Sequence, residues 1–259
     1  MVEGLSGWLA LREPIDHASR SRRLVQSLAG RLRGASPLRA VDLASGTGSN
    51  IRFLSPLLPQ PQAWLAIDQD PDLLRRVPPT AETRCSELGA LDGTIVADRD
   101  LVTASALLDL VSDAWIVTLA GECRAAAAAV LFALTYDGRS TCSPTDADDD
   151  LVLRLFNEHQ RQSDKGFGRA AGPDAVHRAA RAFADAGYHV EVEASDWHVS
   201  PGARELQRML IAGWAQAASE MAPGRSAQIS QWLQRRLQNV EYGRSHVAVG
   251  HQDLAAWVR

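Results

Sequence analysis

One stretch limits the possible folds more than any other: Ala40 to Asn50, A-V-D-L-A-S-G-T-G-S-N. Short apolar residues run into an acid, Asp42, and then into a turn carrying Gly46 and Gly48. Ile51, Phe53, Leu54, Leu57 and Leu58 follow at helical spacing. The pattern predicts a buried strand, a glycine turn and the start of a helix. Glycine, lacking Cβ, lets the backbone approach a ligand closely and take positive φ. The free N–H groups at the helix start favour an anionic group such as a carboxylate.

These residues resemble motif I of the seven-strand, class I S-adenosylmethionine (SAM) methyltransferases, whose pattern is acid-x-G-x-G-x-G. Ala44 stands where the first glycine would be, a change of one methyl group. The resemblance implies that the turn, with Ala44, Ser45, Gly46, Gly48 and Asn50, cradles the methionine part of SAM, and that Asp42 lies near its amino group. A nicotinamide dinucleotide site wants G-x-G-x-x-G; from Gly46 the chain reads G-T-G-S-N-I, with Ile51 at the third glycine. An ordinary strand–turn–helix is the plain alternative, so the elements downstream carry the decision.

A second acid supports the first. The run Trp64 to Ile67 ends at Asp68, twenty residues after Gly48. In doubly wound folds an acid ending the second strand can hydrogen-bond ribose hydroxyls, and SAM has both free. The resemblance places Gln69 against adenosine and makes Glu87, after a third strand at Glu82 to Cys85, the acceptor from the adenine amino group. Asp70-Pro71-Asp72 reads as a helix start. A fourth strand is expected over Leu101 to Asp109, with its carboxyl end opening on the site. The resemblance makes that end the reaction centre, with Ser105 toward the cofactor. Asp109 either serves there, orienting the substrate, taking its proton or binding the SAM amino group, or caps the helix containing Trp115 to Leu119, expected over Asp113 to Arg124. A fifth strand follows, Ala127 to Leu134, leading into Tyr136.

Strand and helix thus alternate five times. The expected architecture is α/β: a doubly wound, mostly parallel seven-strand sheet with helices on both faces, an antiparallel last strand, and extra helices at the N-terminus and in the C-terminal half. The chain of 259 residues is read as one domain: an N-terminal helical cap (1–36), a SAM-binding core (37–137), a substrate loop or lid (138–172) and the remaining strands (173–259). The sixth and seventh strands are expected at Tyr188 to Ala194 and His246 to Val249. The helical insertion at about 203–239 reads as a lid or a homodimer surface.

Composition excludes several classes. No apolar run approaches a membrane span. The start, M-V-E-G-L-S-G-W, lacks the basic and apolar regions of a signal peptide, which predicts a cytoplasmic protein. Cys85, Cys123 and Cys142 are widely spaced and odd in number, and the seven His show no H-x-x-x-H spacing, so neither disulfides nor a metal are expected. The net charge is −4 with the basic residues dispersed, which argues against nucleic acid as a partner.

The segment after the fifth strand carries a cluster: Asn157, His159, Gln160 and Lys165. Lys165 is the only lysine beside 26 arginines, and an ammonium is a point charge that a guanidinium does not replace. Residues 139–150 read as partly mobile, and Leu151 to Gln160 as a helix. At the N-terminus, Arg12-Glu13-Pro14 divides two expected helices, the second opening at Pro14. By resemblance such helices cover the methionine end of SAM. Arg20 is then a partner for its carboxylate, and Arg12, with Trp8 and Asp16, borders the substrate.

The expected function is therefore methyl transfer from SAM, leaving S-adenosylhomocysteine (SAH), to an O or N of a small polar metabolite. Proximity and orientation supply most of the catalysis. Asp109 and His159 are the candidate bases; Arg12, Tyr136, Asn157, Gln160 and Lys165 are the candidate substrate contacts. Two alternatives stay open. One is another SAM-nucleotide enzyme on the same fold, such as an aminopropyl transferase. The other is a non-catalytic SAM-binding subunit.

Overall fold

An unbroken apolar strand needs helices on both faces of its sheet, and β1 (Leu38–Leu43) has that character, with every residue but Arg39 buried. In the computed structural model, which describes residues 4–89, 91 and 93–258, β1 pairs in parallel with β2 (Gln62–Asp68) and β4 (Leu101–Ser105). β3 (Ala81–Cys85) continues in parallel beyond β2, and β5 (Ala129–Ser143) beyond β4. β8 (His246–Val258) lies antiparallel between β5 and β6 (Tyr188–Ala194), which gives the order β3-β2-β1-β4-β5-β8-β6. The short β7 (Trp197–Val199) pairs with the first half of β8, an eighth strand added to the seven expected. The doubly wound, mostly parallel α/β sheet with an antiparallel last strand is thus present.

Alternate residues of each strand feed opposite cores. Val41, Leu43, Ile67, Val102 and Phe132 pack on α5 (Asp113–Ala125) and α7 (Ala175–Asp185). Ala40, Trp64, Ala66, Leu101 and Leu131 face the other way, onto α2 (Arg22–Arg31) and α3 (Ser49–Leu54). The short α4 (Pro71–Leu74) starts as its sequence suggests, capped by Asp70 with Pro71 at its first position. A third core lies past the strand ends. There β5, β7 and β8 meet α6 (Asp149–Gln162), α8 (Arg204–Met221) and α9 (Ser226–Glu241) around Tyr136, Trp197, Trp214 and Trp232. Register shifts after Phe132 and after Tyr136, with Leu134 and Gly138 at positive φ, bend β5 into this layer.

Four expectations change. α1 (Gly4–Ser19) runs straight through Pro14, and α2 begins only after Ser21 caps it. Proline removes a hydrogen bond to the carbonyl four residues earlier, and that residue, Ala10, is exposed to water. β4 stops at Ser105, so Asp109 belongs to a single 3-10 turn, Leu108–Leu110. The last strand runs thirteen residues, far past Val249. Finally, the stretch 139–150 is held rather than loose. β5 continues to Ser143, and α9 grips the acids beyond it. Arg235 pairs with Asp146 at 2.6 Å and Asp148 at 2.7 Å. Arg236, wholly buried, pairs with Asp149 and donates to the Pro144 carbonyl. Trp232 Nε1 donates to Asp149 Oδ1 at 2.8 Å. The acids read as a loop because Arg235 stands 89 residues downstream of Asp146.

Candidate functional site

The glycine turn sits at the carboxyl ends of β1 and β2, where doubly wound sheets bind ligands. Ser45 N–H donates to the Ile67 carbonyl at 2.9 Å, and Gly46 N–H to Asp68 Oδ2 at 2.8 Å. Asp68 Oδ1 takes Asp70 N–H at 3.0 Å, so this carboxylate ties the turn to the end of β2. Ala44, Gly46 and Gly48 all have positive φ, +50°, +54° and +79°. The methyl of Ala44 therefore carries a strain of about 1–2 kcal/mol that glycine would avoid. A Cβ on Gly46 would lie 3.1 Å from Leu9 Cδ1, and one on Gly48 2.7 Å from Pro78 Cδ. The glycines thus admit α1 and the Val77–Pro78 segment as well as close approach to a ligand.

Behind the turn runs a chain of buried polar groups. Asp42, fully buried, accepts from Asn50 Nδ2 at 2.5 Å and Thr103 Oγ1 at 2.8 Å. Burial raises its pKa, opposed by those hydrogen bonds. Asn50 Oδ1 accepts from Arg20 Nη1 at 2.8 Å. Arg20, whose side chain is 1% exposed, stands over the Phe53 ring, with Nε 3.4 Å from Asp253 Oδ2. Asp253 is itself held by the N–H groups of Ser21, at 2.9 Å, and Leu134, at 2.8 Å. Arg20 Nη2 is buried without a hydrogen bond, and Nε has only its ion pair with Asp253; Ser45 Oγ lies by Asp42 and helps hold that acid's pKa down. Buried donors and acceptors without partners are costly. A buried cation and a buried acid side by side have the charges that complement an amino acid moiety, so the residues present fit the methionine end of SAM. Thr103 and Asp253 were not among the sequence candidates. The available signal was a polar residue inside an otherwise apolar strand.

At the other end of the crevice, Gln69 and Glu87 are exposed beyond β2 and β3, and Ser105 is half-buried at the end of β4. The loop 163–169 folds across toward β3. Phe167 packs edge-on against Trp115 at 5.8 Å, Trp115 Nε1 donates to the Leu88 carbonyl at 2.7 Å, and a Cβ on Gly89 would strike the Gly166 carbonyl. Lys165 is exposed on that loop.

Asp109 is buried, and Oδ1 has no partner. Burial pushes its pKa up to about 6 against the pull of its own N–H, the Arg12 charge and the Tyr136 N–H. It does not cap α5; Ser112 does, accepting from Trp115 N–H at 3.3 Å. Facing it, α1 presents Arg12 and Asp16, four residues apart and so on one face, and Arg20 follows in the bend just past its end. Arg12 forks onto Asp16 at 2.9 and 3.2 Å and lies 4.9 Å over Trp197. Trp197 packs on His251 at 4.9 Å, and His251 on Tyr136 at 6.3 Å. Burial, reinforced by the Arg12 charge, lowers the His251 pKa to about 3 and keeps the ring neutral. Trp197 and His251 are additions to the sequence candidates.

The cluster expected on α6 separates. Residues two apart on a helix point about 200° from each other. Asn157 accepts from the Tyr136 hydroxyl at 2.8 Å and donates to the Gly138 carbonyl at 2.9 Å, bracing the bend of β5. His159 turns to α8, where Nε2 meets Glu220 Oε2 at 3.1 Å. His159 and Gln160 border a cavity of about 340 Å³ between α1, α6 and α8. Lys165 joins neither group. Among the described residues no cluster of three His, Cys, Asp or Glu could hold a metal, and no helix is long and apolar enough to cross a membrane.

No protein-family model and no curated protein matches the chain. Solved structures do. One from Anaeromyxobacter dehalogenans, described as a candidate type II methyltransferase, is 16% identical and superposes with a TM-score of 0.53 over 92% of this chain and 96% of its own. The cyclopropane synthase MmaA2 from Mycobacterium tuberculosis is 10% identical over 90% of this chain and 82% of its own, with a TM-score of 0.46, too loose a match to carry an argument. The first shows that this chain has the Rossmann-like methyltransferase fold.

Proposed function

We propose that this chain is an enzyme that moves the methyl group of SAM to an oxygen or nitrogen atom of a small acceptor. One observation carries the reading: the sealed guanidinium of Arg20, with Nη2 making no hydrogen bond, joined through Asn50 to the acid of the glycine turn. A carboxylate is its natural complement. Asp42 and Ser45 take the ammonium and nearby polar atoms, Asp68 accepts from the ribose hydroxyls with its remaining lone pairs, and Gln69 and Glu87 border the adenine. Bound there, SAM supplies an electrophilic methyl on a sulfonium.

The protein's own part is placement and proton handling. An in-line nucleophile in a water-poor site needs chiefly proximity and orientation. Asp109, buried at the strand ends with a free oxygen and a pKa near 6, is ionised at neutral pH and can take the acceptor's proton. Ser105 borders the reacting groups, and Arg12 and Tyr136 line the acceptor side. Asn157 acts through Tyr136. His159 and Gln160 serve the outer cavity rather than the strand ends, and Lys165 guards the entrance by loop 163–169. The homodimer expected of the 203–239 helices is a separate proposal, read by molecular mass in solution.

The aminopropyl-transfer alternative is disfavoured, because decarboxylated SAM would leave Arg20 unanswered. The test is calorimetric titration with SAH and with 5′-methylthioadenosine, which lacks the carboxylate, followed by a metabolite screen for products one methyl heavier. SAH should bind much the tighter of the two. Equal binding, or none, would sink the reading.

A further inference from the structure

We propose that the cavity between α1, α6 and α8 receives the aromatic, apolar body of the methyl acceptor; this deepens, and rests on, the methyl-transfer reading. The cavity measures about 340 Å³, at the lower end of the range for small-molecule sites. Its walls are Trp8 of α1, Phe156 of α6, and Leu210, Trp214 and Ala217 of α8. Three aromatic side chains so placed favour a flat ring that can stack or pack edge-on against them. Polar groups gather at one edge. Glu220 accepts from Gln216 Nε2 at 3.1 Å and meets His159 Nε2 at 3.1 Å, while His159 Nδ1 is buried without a partner. That edge suits a single polar substituent on an otherwise apolar molecule.

The cavity adjoins the reaction end. Trp8 is followed by Leu9, whose Cδ1 lies 3.1 Å from where a Gly46 Cβ would stand, so only the width of α1 separates the cavity from the glycine turn. On the other side the Phe156 ring lies 5.5 Å from that of Tyr136, whose backbone N–H helps hold down the pKa of the buried Asp109. One residue therefore links the cavity wall to the buried acid.

Gly213 marks where the cavity can be closed from α8. It lies inside α8, where glycine weakens a helix. A Cβ there would meet nothing within 4 Å, so no neighbour demands the glycine. It lines the cavity, and its missing side chain leaves the space open.

The experiment titrates 2-naphthol, with the polar amino-diol serinol as control, into the full chain by calorimetry, with and without saturating SAH. 2-Naphthol should saturate and serinol should not. Gly213→Leu, which fills the space, should weaken 2-naphthol binding at least tenfold while SAH affinity and the unfolding temperature hold. Gly213→Ala serves as the folding control and should stay close to wild type. Failure of 2-naphthol to saturate, unchanged affinity in Gly213→Leu, or equal binding of serinol would overturn the proposal. If 2-naphthol behaves as expected and SAH does not bind at all, the cavity is an apolar ligand site, but its assignment to a methyl acceptor falls with the cofactor reading.

Discussion

Arg20→Lys tests the centre of the cofactor assignment. The guanidinium has three separate parts: Nη1 donates to Asn50 at 2.8 Å, Nε faces Asp253 at 3.4 Å, and Nη2 makes no hydrogen bond and is open to a ligand. Lysine keeps the positive charge among Asp253, Asp42 and Asp16, so the buried acids are not stranded. Stranding them would cost about 3–5 kcal/mol and confuse folding with binding. What lysine loses is the fork that can hold a carboxylate with two donors while bonding Asn50 with a third. A hydrogen bond to a charged group contributes about 1.5–3 kcal/mol, which corresponds to an affinity loss of about 10- to 150-fold. Calorimetry on the folded variant should show that loss for SAH, while 5′-methylthioadenosine binds as it does to wild type. Equal losses for the two ligands would mean that Arg20 shapes the pocket without touching a carboxylate. No loss for either would remove it from the site.

Three further outcomes follow from the same geometry. Ala44→Gly should relieve the strain of a φ of +50° and raise the unfolding temperature, with a net gain of up to about 1 kcal/mol after the entropy that glycine adds to the unfolded chain; a lower temperature would refute the strain argument. Asp109 binds its proton more tightly when folded, pKa about 6, than when unfolded, about 3.9, so its burial costs nothing below about pH 4 and up to about 3 kcal/mol above pH 6. Asp109→Asn should therefore be more stable than wild type at pH 7.5, equal to it near pH 4, and slower in methyl transfer; a stability difference independent of pH would contradict the buried-acid reading. Arg236→Met leaves Asp149 without its buried partner and should lower stability, by less than the about 3–5 kcal/mol of a fully buried stranded charge because Asp149 is 26% exposed and keeps Trp232, with faster proteolysis at 143–150 than elsewhere; uniform protection of that segment would show that Arg235 and Trp232 hold it alone.

Much of the sheet was legible because its signals are local. The glycine turn announces itself within eleven consecutive residues. The unbroken apolar run of β1 and that of β2 ending in Asp68 are visible without any distant partner. Where an element depends on what lies against it, local reading fell short. Pro14 predicts a break, yet the helix continues because water can serve the exposed carbonyl it leaves. The acids at 146–149 predict a mobile loop, yet two arginines and a tryptophan of α9 hold them.

The division at the site has the same cause. Asp42, Gly46, Gly48, Asn50 and Asp68 could be named from spacing alone, because one strand–turn–helix unit and the next strand end position all five. Arg20 was named beside them, but its environment is assembled from Asn50, thirty residues away, and from Asp253 at the far end of the chain. Asp253 faces Arg20 only because β8 inserts antiparallel between β5 and β6, in a register that sets His251 beside Tyr136 and Asp253 beside Glu193. Similarly, the bend of β5 and the packing of α6 on α8 send Asn157 to one site and His159 to another. Hydrophobic periodicity and turn chemistry act over a few bonds, so the sequence by itself determined the sheet and the turn. Pairings between buried charges act through space, so only the tertiary structure decided which polar atoms are left without a partner.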